Sequence, residues 1–193
     1  MNDLIAEIEA CRICVDRFAQ TKTGHEPRPV TGLSQEARIL IAGQAPGARV
    51  HQSGKFFTDP SGDRLREWLA VSDDEFYDAK NFAILPLGFC FPGYSEKGAD
   101  LPPPKICART WRKRALDAMP QIELLILVGG YAQEWHLGKM SLTERVRAWR
   151  DHAPAVFPLP HPSWRNNAWL KKHPWFEADL LPALRKEVDR LIR

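Results

Sequence analysis

The sequence predicts an α/β fold, three-layer α/β/α, around a four-stranded parallel sheet. Three observations predict it. Four short runs have the length and composition of strands: Arg38-Ile39-Leu40-Ile41-Ala42, Asn81 to Leu87, Glu123 to Val128, and Ala155 to Leu159. Stretches with helical spacing lie between them, and strands alternating with helices give a parallel sheet with right-handed crossovers. The interiors of the runs are apolar rather than alternating, as strands covered on both faces require.

Each element has its own reason. Leu4, Ile5 and Ile8 mark a short amphipathic helix over 2–10, leading into Cys11. Residues 20–37 are polar and carry Gly24, Pro27, Pro29 and Gly32, a connecting loop. The first strand occupies 38–43. Residues 45–62 show no strong periodicity and read as a long loop, which in a compact domain is usually a binding element. Ser61-Gly62-Asp63 precedes a helical pattern through Leu65, Trp68 and Leu69. After the second strand, 89–104 is a Gly- and Pro-rich loop, and Ile106 to Met119 reads as a helix. The third strand is the most clearly buried. Gly129-Gly130 ends it, and Tyr131 to Leu137 opens another helix. From Pro174, apolar positions at Phe176, Leu180, Leu181, Leu184, Val188, Leu191 and Ile192 predict a long final amphipathic helix. No internal repeat interrupts this order, so residues 1–193 are expected to form one domain, with 1–20 an N-terminal cysteine knuckle packed on it.

Composition narrows the class. Hydrophobic residues are 44% and charged residues 26%, an ordinary globular balance. A net charge of +3 permits a polyanionic partner without requiring one. The seven Trp offer faces that either stack bases or fill a core. No apolar stretch approaches a membrane span, and the acidic start lacks a signal-peptide core. A cytoplasmic monomer with no membrane partner is expected, its thiols kept reduced.

Four cysteines carry a separate signal. Cys11-Arg-Ile-Cys14 is a C-x2-C pair, and Cys90 and Cys107 form a C-x16-C pair around a Pro-rich loop. A C-x2-C turn presents two sulfurs to one metal, and two further cysteines complete a tetrahedral set. Four thiolates suit a [4Fe-4S] cluster or structural zinc. Zinc usually takes two tight pairs, so the wide second pair favours iron–sulfur. The alternative is that Cys90 and Cys107 are small buried hydrophobes. Nothing in the spacing of His25 or His51 makes them ligands.

Two turn-forming segments follow strands: Gly43-Gln44-Ala45-Pro46-Gly47 and His161-Pro162-Ser163. Ligands of an open α/β sheet bind outside the carboxyl ends of its strands, so these segments are candidates for opposite walls of one pocket.

With Gly54-Lys55-Phe56-Phe57, and on a four-stranded parallel sheet, these two segments resemble the uracil-DNA glycosylase superfamily; the cysteine layout is similar to its iron–sulfur branch. The resemblance spans nearly the whole chain and implies a role for each matching residue. Gly43 and Ala45 would belong to the loop that holds the attacking water and contacts the uracil carbonyl. Phe57 would stack on a flipped base, for about 1–3 kcal/mol. His161 would donate a hydrogen bond to the base as negative charge develops on it, with Ser163 beside it in the same motif. In two places the chain departs from the branch. Gln44 stands where that branch has Glu, and an amide orients a water without accepting its proton. Glycosidic cleavage passes through an oxocarbenium-like state, which needs only a weak nucleophile. Phe57-Thr58-Asp59-Pro60-Ser61-Gly62-Asp63 looks more like a second iron–sulfur branch that lacks the acid, making Asp59 the substitute carboxylate, or else a turn residue before proline. Pro86 stands where Asn would read the base, which opens base preference to other deaminated bases. Asn81 lies at the wrong end of its strand to replace it.

Basic residues mark the surface. Arg109, Arg112, Lys113 and Arg114 read as a solvated helix face, and Arg145, Arg147 and Arg150 form another cluster. Trp164, Arg165, Asn166, Asn167, Trp169, Lys171 and Lys172 interleave bases with aromatics next to the pocket, as DNA contact demands. An enzyme acting on a duplex base must extrude it, and by resemblance Trp164 or Arg165 is placed to hold the gap. The reading is a DNA glycosylase for a deaminated base, most simply uracil, acting on DNA containing a damaged base. The alternatives are a DNA-lesion binding protein without hydrolysis, and an unrelated α/β enzyme acting on a small nucleotide.

Overall fold

The computed structural model describes all residues from Met1 to Arg193. Four strands, β1 (Ile39–Ala42), β2 (Phe82–Ile84), β3 (Leu124–Val128) and β4 (Val156–Leu159), form one parallel sheet in the order β2-β1-β3-β4. The order reverses between β1 and β3, so the crevice at their carboxyl ends is the place for a ligand. All four expected strands are present. β2 is shorter than expected, yet its bonds to β1 continue past Ile84: Leu85 and Leu87 donate to the carbonyls of Ile41 and Gly43, and Pro86 between them turns its nitrogen to the outer edge, where no N–H is needed. Pro158 is tolerated because β4 is an edge strand. Ala155 and Leu159 face β3 with their carbonyls, which turns the intervening Pro158 nitrogen outward.

Ten helices surround the sheet: α1 (Asn2–Glu9), α2 (Val15–Ala19), α3 (Ala48–Ser53), α4 (Pro60–Leu69), α5 (Asp73–Tyr77), α6 (Lys105–Asp117), α7 (Gly130–Leu137), α8 (Leu142–Arg147), α9 (Asn167–Lys172) and α10 (Leu181–Ile192). Odd and even positions of β1 point to opposite faces, and each face has its own core. Ile39 and Ile41 join Ile126, Val128, Phe157 and Leu159 under α4 and α10, which contribute Leu65, Trp68, Leu184 and Val188. Leu40, with Ala83 and Leu85, packs under α1 and α6 through Leu4, Ile8, Trp111 and Ala115. Both faces are covered, so the three-layer expectation holds.

Several expectations need correction. Residues 45–62 are not one structureless loop: α3 lies within them, and α4 begins at Pro60. α3 buries no residue, so it carries no apolar stripe to read. The final helix is preceded by a wider π-type turn over Phe176–Leu180. The basic clusters are not uniformly solvated. Arg112 and Arg145 are 3% and 5% exposed, and their guanidinium groups donate to the carbonyls of Leu85 and Gly138. Arg114 pairs with Glu7 and Lys113 with Asp117. Arg147 and Arg150 lie over Trp175 and Trp149.

Candidate active site

At the carboxyl ends of β1, β3 and β4 lies a cavity of about 290 Å³, lined by Gly43, Gln44, Ala45, Phe57, Asp59, Tyr94, Asp100 and His161 among others. That volume sits at the lower edge of small-ligand sites and suits a planar ring better than a whole nucleotide. The cavity opens into a polar groove walled by Arg49, Arg64, Pro162, Ser163, Trp164 and Arg165. Gln44, Arg49, Asp59, Ser61, Asp100 and His161 belong to both and mark the neck between them.

The loop after β1 is fixed by backbone bonds across to the extension of β2, where Leu87 and Gly88 donate to the carbonyls of Gly43 and Gln44. The Gln44 side chain is half-buried, and its Nε2 donates to the Leu101 carbonyl at 3.0 Å. This spends the donor end of the amide and leaves Oε1 as an acceptor.

Phe57 is held by its backbone. Its φ of +56° is unusual for an aromatic residue. Its carbonyl accepts from Arg66 Nη1 and from the Tyr77 hydroxyl, each at 3.0 Å. Arg66 is itself buried and paired with Asp63 and Asp73. The first turn of α4 presses on the same peptide: a Cβ on Gly62 would fall 1.9 Å from the Phe57 oxygen, so only glycine fits. The Phe57 ring meets Phe76 edge-on at 5.9 Å while lining the cavity. Core packing and cavity wall are therefore combined in one residue.

Asp59 is the N-cap of α4, its Oδ1 accepting from Gly62 N at 3.3 Å, with Pro60 in the first turn. The turn role and a place at the cavity likewise coexist. Across from it, His161 is reached from the cavity, while surrounding protein strips enough water to lower its basicity below the ordinary value of 6.5. The charge of Asp59 opposes that shift, and Arg165 reinforces it. The shift favours the neutral imidazole. Ser163 N donates to its Nδ1 at 3.2 Å, which assigns the proton to Nε2 and makes that nitrogen a donor. Asn166 Nδ2 holds the His161 carbonyl at 2.7 Å, and Arg64 Nη1 donates to the Ser163 carbonyl.

The expected site residues thus separate. Gly43, Gln44, Ala45, Phe57, Asp59 and His161 share the cavity. Ser163 lies in the groove and orients His161. Trp164, 73% exposed, and Arg165 also line the groove, whereas the Asn166 amide is engaged with the His161 loop. Of residues 167–172, Trp169 is tied to Thr143 and Asn167 to Arg64. Pro86 is buried and lines neither space. Sequence reasoning missed Arg49, Arg64, Tyr94 and Asp100. Tyr94 and Asp100 come from the Gly- and Pro-rich loop and reach the cavity only because that loop folds back as a bridged pair; no spacing in the chain signals it.

A second, smaller cavity is apolar and is lined by all four cysteines, with Ile8, Phe18, Phe89 and Trp111. Burial, with a smaller contribution from neighbouring cysteines, pushes the Cys90 thiol up to about 12 and Cys107 to about 11. Backbone N–H groups oppose this: Phe89 N donates to Cys107 Sγ at 3.4 Å, and Arg28 N bonds Cys90. No three His, Cys, Asp or Glu side chains are grouped as ligands of a single metal ion. No helix is long and apolar enough to cross a membrane.

Compared with known families, the chain matches the model described as "UDG: Uracil DNA glycosylase superfamily" over residues 31–185. That range holds all four strands and every residue of the cavity. The cysteine pair at Cys11 and Cys14 lies outside it.

Proposed function

We propose that this chain, which belongs to the uracil DNA glycosylase superfamily, takes one base flipped out of DNA into the cavity and hydrolyses its N-glycosidic bond, the base being uracil or another deaminated base. Members of that superfamily are in general glycosylase hydrolases. The observation that carries the reading is that His161, its Nδ1 taken by the Ser163 N–H, shares one ring-sized cavity with the Gly43–Ala45 loop.

The chemistry follows from these groups. An extruded base enters between Phe57 and the loop after β1. As the bond to C1′ lengthens, negative charge gathers on the base, and His161 Nε2–H donates to it. A fixed donor aimed at developing charge is commonly the largest catalytic contribution available to such a site, about 10²–10³ in rate. A neutral imidazole gives this hydrogen bond without needing to be protonated first. The sugar becomes cation-like, and the Asp59 carboxylate at the neck supplies a compensating negative charge. Gln44 Oε1 orients the water that attacks C1′. In the groove, Arg49, Arg64 and Arg165 answer the phosphates, and exposed Trp164 is placed to fill the gap left in the duplex.

The cysteine cavity fits an iron–sulfur cluster better than it fits thiols. Four sulfurs converge on one apolar space, and two of them accept backbone N–H bonds of the kind that stabilise ligated thiolates. Four cysteines match the four thiolates that such a cluster takes. Cys11, Cys14, Cys90 and Cys107 would hold it, and bound there it would supply a covalent staple between α1, α2 and the β2–α6 loop rather than a reaction step.

The test is incubation with single-stranded and duplex oligonucleotides carrying uracil, hypoxanthine or xanthine, followed by alkaline cleavage at abasic sites. Strand cleavage with at least one of these bases is expected. Tight binding to all of them without cleavage would replace the proposal by lesion binding alone.

A further inference from the structure

The neck between cavity and groove is where the glycosidic bond must lie, because the base occupies one space and the sugar–phosphate chain the other. Two carboxylates stand there, Asp59 and Asp100. They are not equivalent. Asp59 spends Oδ1 on capping α4. The Asp100 carboxylate accepts no hydrogen bond from the protein, and it is exposed toward the neck. Its position is nevertheless fixed. Leu101 N donates to the Gly93 carbonyl at 2.9 Å, Tyr94 and Asp100 form a backbone bridge, and the Leu101 carbonyl is gripped by Gln44 Nε2 at 3.0 Å. The side chain that orients the water therefore also sets the place of the Asp100 loop.

We propose that Asp100 is the general base of the reaction: it accepts the proton of the water that Gln44 orients. This deepens the glycosylase reading and rests on it. The water oxygen bonds to C1′ as the C1′–N bond breaks, and the electron pair of that bond leaves with the base toward His161. The water's proton passes to an Asp100 oxygen. Gln44 lacks basicity, so a separate proton acceptor is required at this point, and Asp100 is the carboxylate with both oxygens free. Its surroundings favour the task. The cavity walls remove water from it and raise its pKa, which makes it a better proton acceptor than a solvated carboxylate, while Arg165 tempers the shift. The charged and titratable groups around it are Arg49 on α3, Asp59 at the cap of α4, Arg64 on α4, Tyr94 on its own loop, His161 after β4, and Arg165 beyond it.

The experiment compares wild type with Asp100→Asn, Asp100→Glu and Asp100→Ala in single-turnover base release between pH 4.5 and 9 (about the range from a carboxylate's pKa upward). Binding is measured on the same oligonucleotide with a 2′-fluoro sugar, which resists cleavage. Asp100→Asn and Asp100→Ala are expected to lose about 10²–10⁴ in rate, the range for a general base. They should bind the uncleavable DNA as well as wild type or better, since a negative charge near phosphates is gone. The acid-side fall of the wild-type rate should be absent from Asp100→Asn, and Asp100→Glu should recover part of the rate. An active wild type with an equally active Asp100→Asn, or a loss of rate matched by an equal loss of binding, overturns the assignment while leaving the glycosylase reading intact. A wild type that releases no base overturns both.

Discussion

The two cavities of this protein lie back to back yet follow opposite rules. Ala45 lines the larger one and Gly88 the smaller, and a Cβ on Gly88 would stand 3.7 Å from that of Ala45. The larger is polar, and two of its functional groups have a defined partner on one side and a free hydrogen-bonding atom on the other. Gln44 binds Leu101 with Nε2 and presents Oε1; His161 receives Ser163 on Nδ1 and presents Nε2. The smaller is apolar, and its thiols are destabilised as thiolates by burial and by one another. The contrast teaches that a preorganised reaction site is recognised by half-satisfied polar groups, whereas a ligand-holding site is recognised by groups that have no reason to be together without their ligand.

The comparison is most severely tested by removing the cluster proposed for the small cavity. Cys107→Ser, or prolonged chelation and oxidation of the native protein, should lower thermal stability by about 10 °C or more, with loss of any brown colour and of the broad visible absorption. An unchanged melting temperature would reduce the four cysteines to ordinary core residues. Next in size is the donor of the large cavity. His161→Ala should lower single-turnover base release by about 10²–10³ and leave the melting temperature within about 2 °C, because the imidazole faces the cavity rather than the core. A large stability loss would put His161 with the structural groups instead.

Gly62→Ala probes how the large cavity is held open. The added methyl meets the Phe57 carbonyl, so the variant should lose about 1–3 kcal/mol of stability, and its base release should fall because Phe57 is displaced. Full activity would show that the Phe57 backbone is free to shift.

Acid behaviour separates a local effect from a global one. Burial, helped by Arg112, lowers His136, which lines neither cavity, to about 4. Its folded value lies below its unfolded one, so the unfolded chain binds more protons between them. The stability involved is intact above pH 6.5 and is lost as pH falls from 6.5 toward about 4. His136→Gln, which keeps an acceptor for Arg112, should flatten melting temperature against pH in that window without altering the pH dependence of base release. The smallest effect is expected in the groove: Trp164→Ala should weaken duplex binding by about 1–3 kcal/mol, less on single strands, with little change in the rate from bound substrate.

Much of this was legible in the chain. The four strands were visible because buried parallel strands are continuous apolar runs, and the Gly43 and His161 segments because strand ends in such sheets face one side. Residues whose role depends on where a loop returns were not legible. Asp100 and Tyr94 lie in a Pro-rich stretch with no period, and the Tyr94–Asp100 bridge together with the Gln44–Leu101 bond brings them to the cavity. Arg112 read as solvated because charge implies surface; its burial, like that of Arg145, was won through single backbone carbonyls that no pattern announces. Helix α3 was missed for the opposite reason, since it has no buried face.

The central claim is that a base bound in the large cavity is released by water. The most direct measurement is mass spectrometry of both products after one turnover on a uracil-containing oligonucleotide in ¹⁸O-labelled water. The account predicts free base in amounts equal to abasic sites, with the label on the sugar C1′ oxygen and none of these products from His161→Ala on the same timescale. Intact oligonucleotide recovered from a folded protein that binds it, across the panel of deaminated bases, would contradict it.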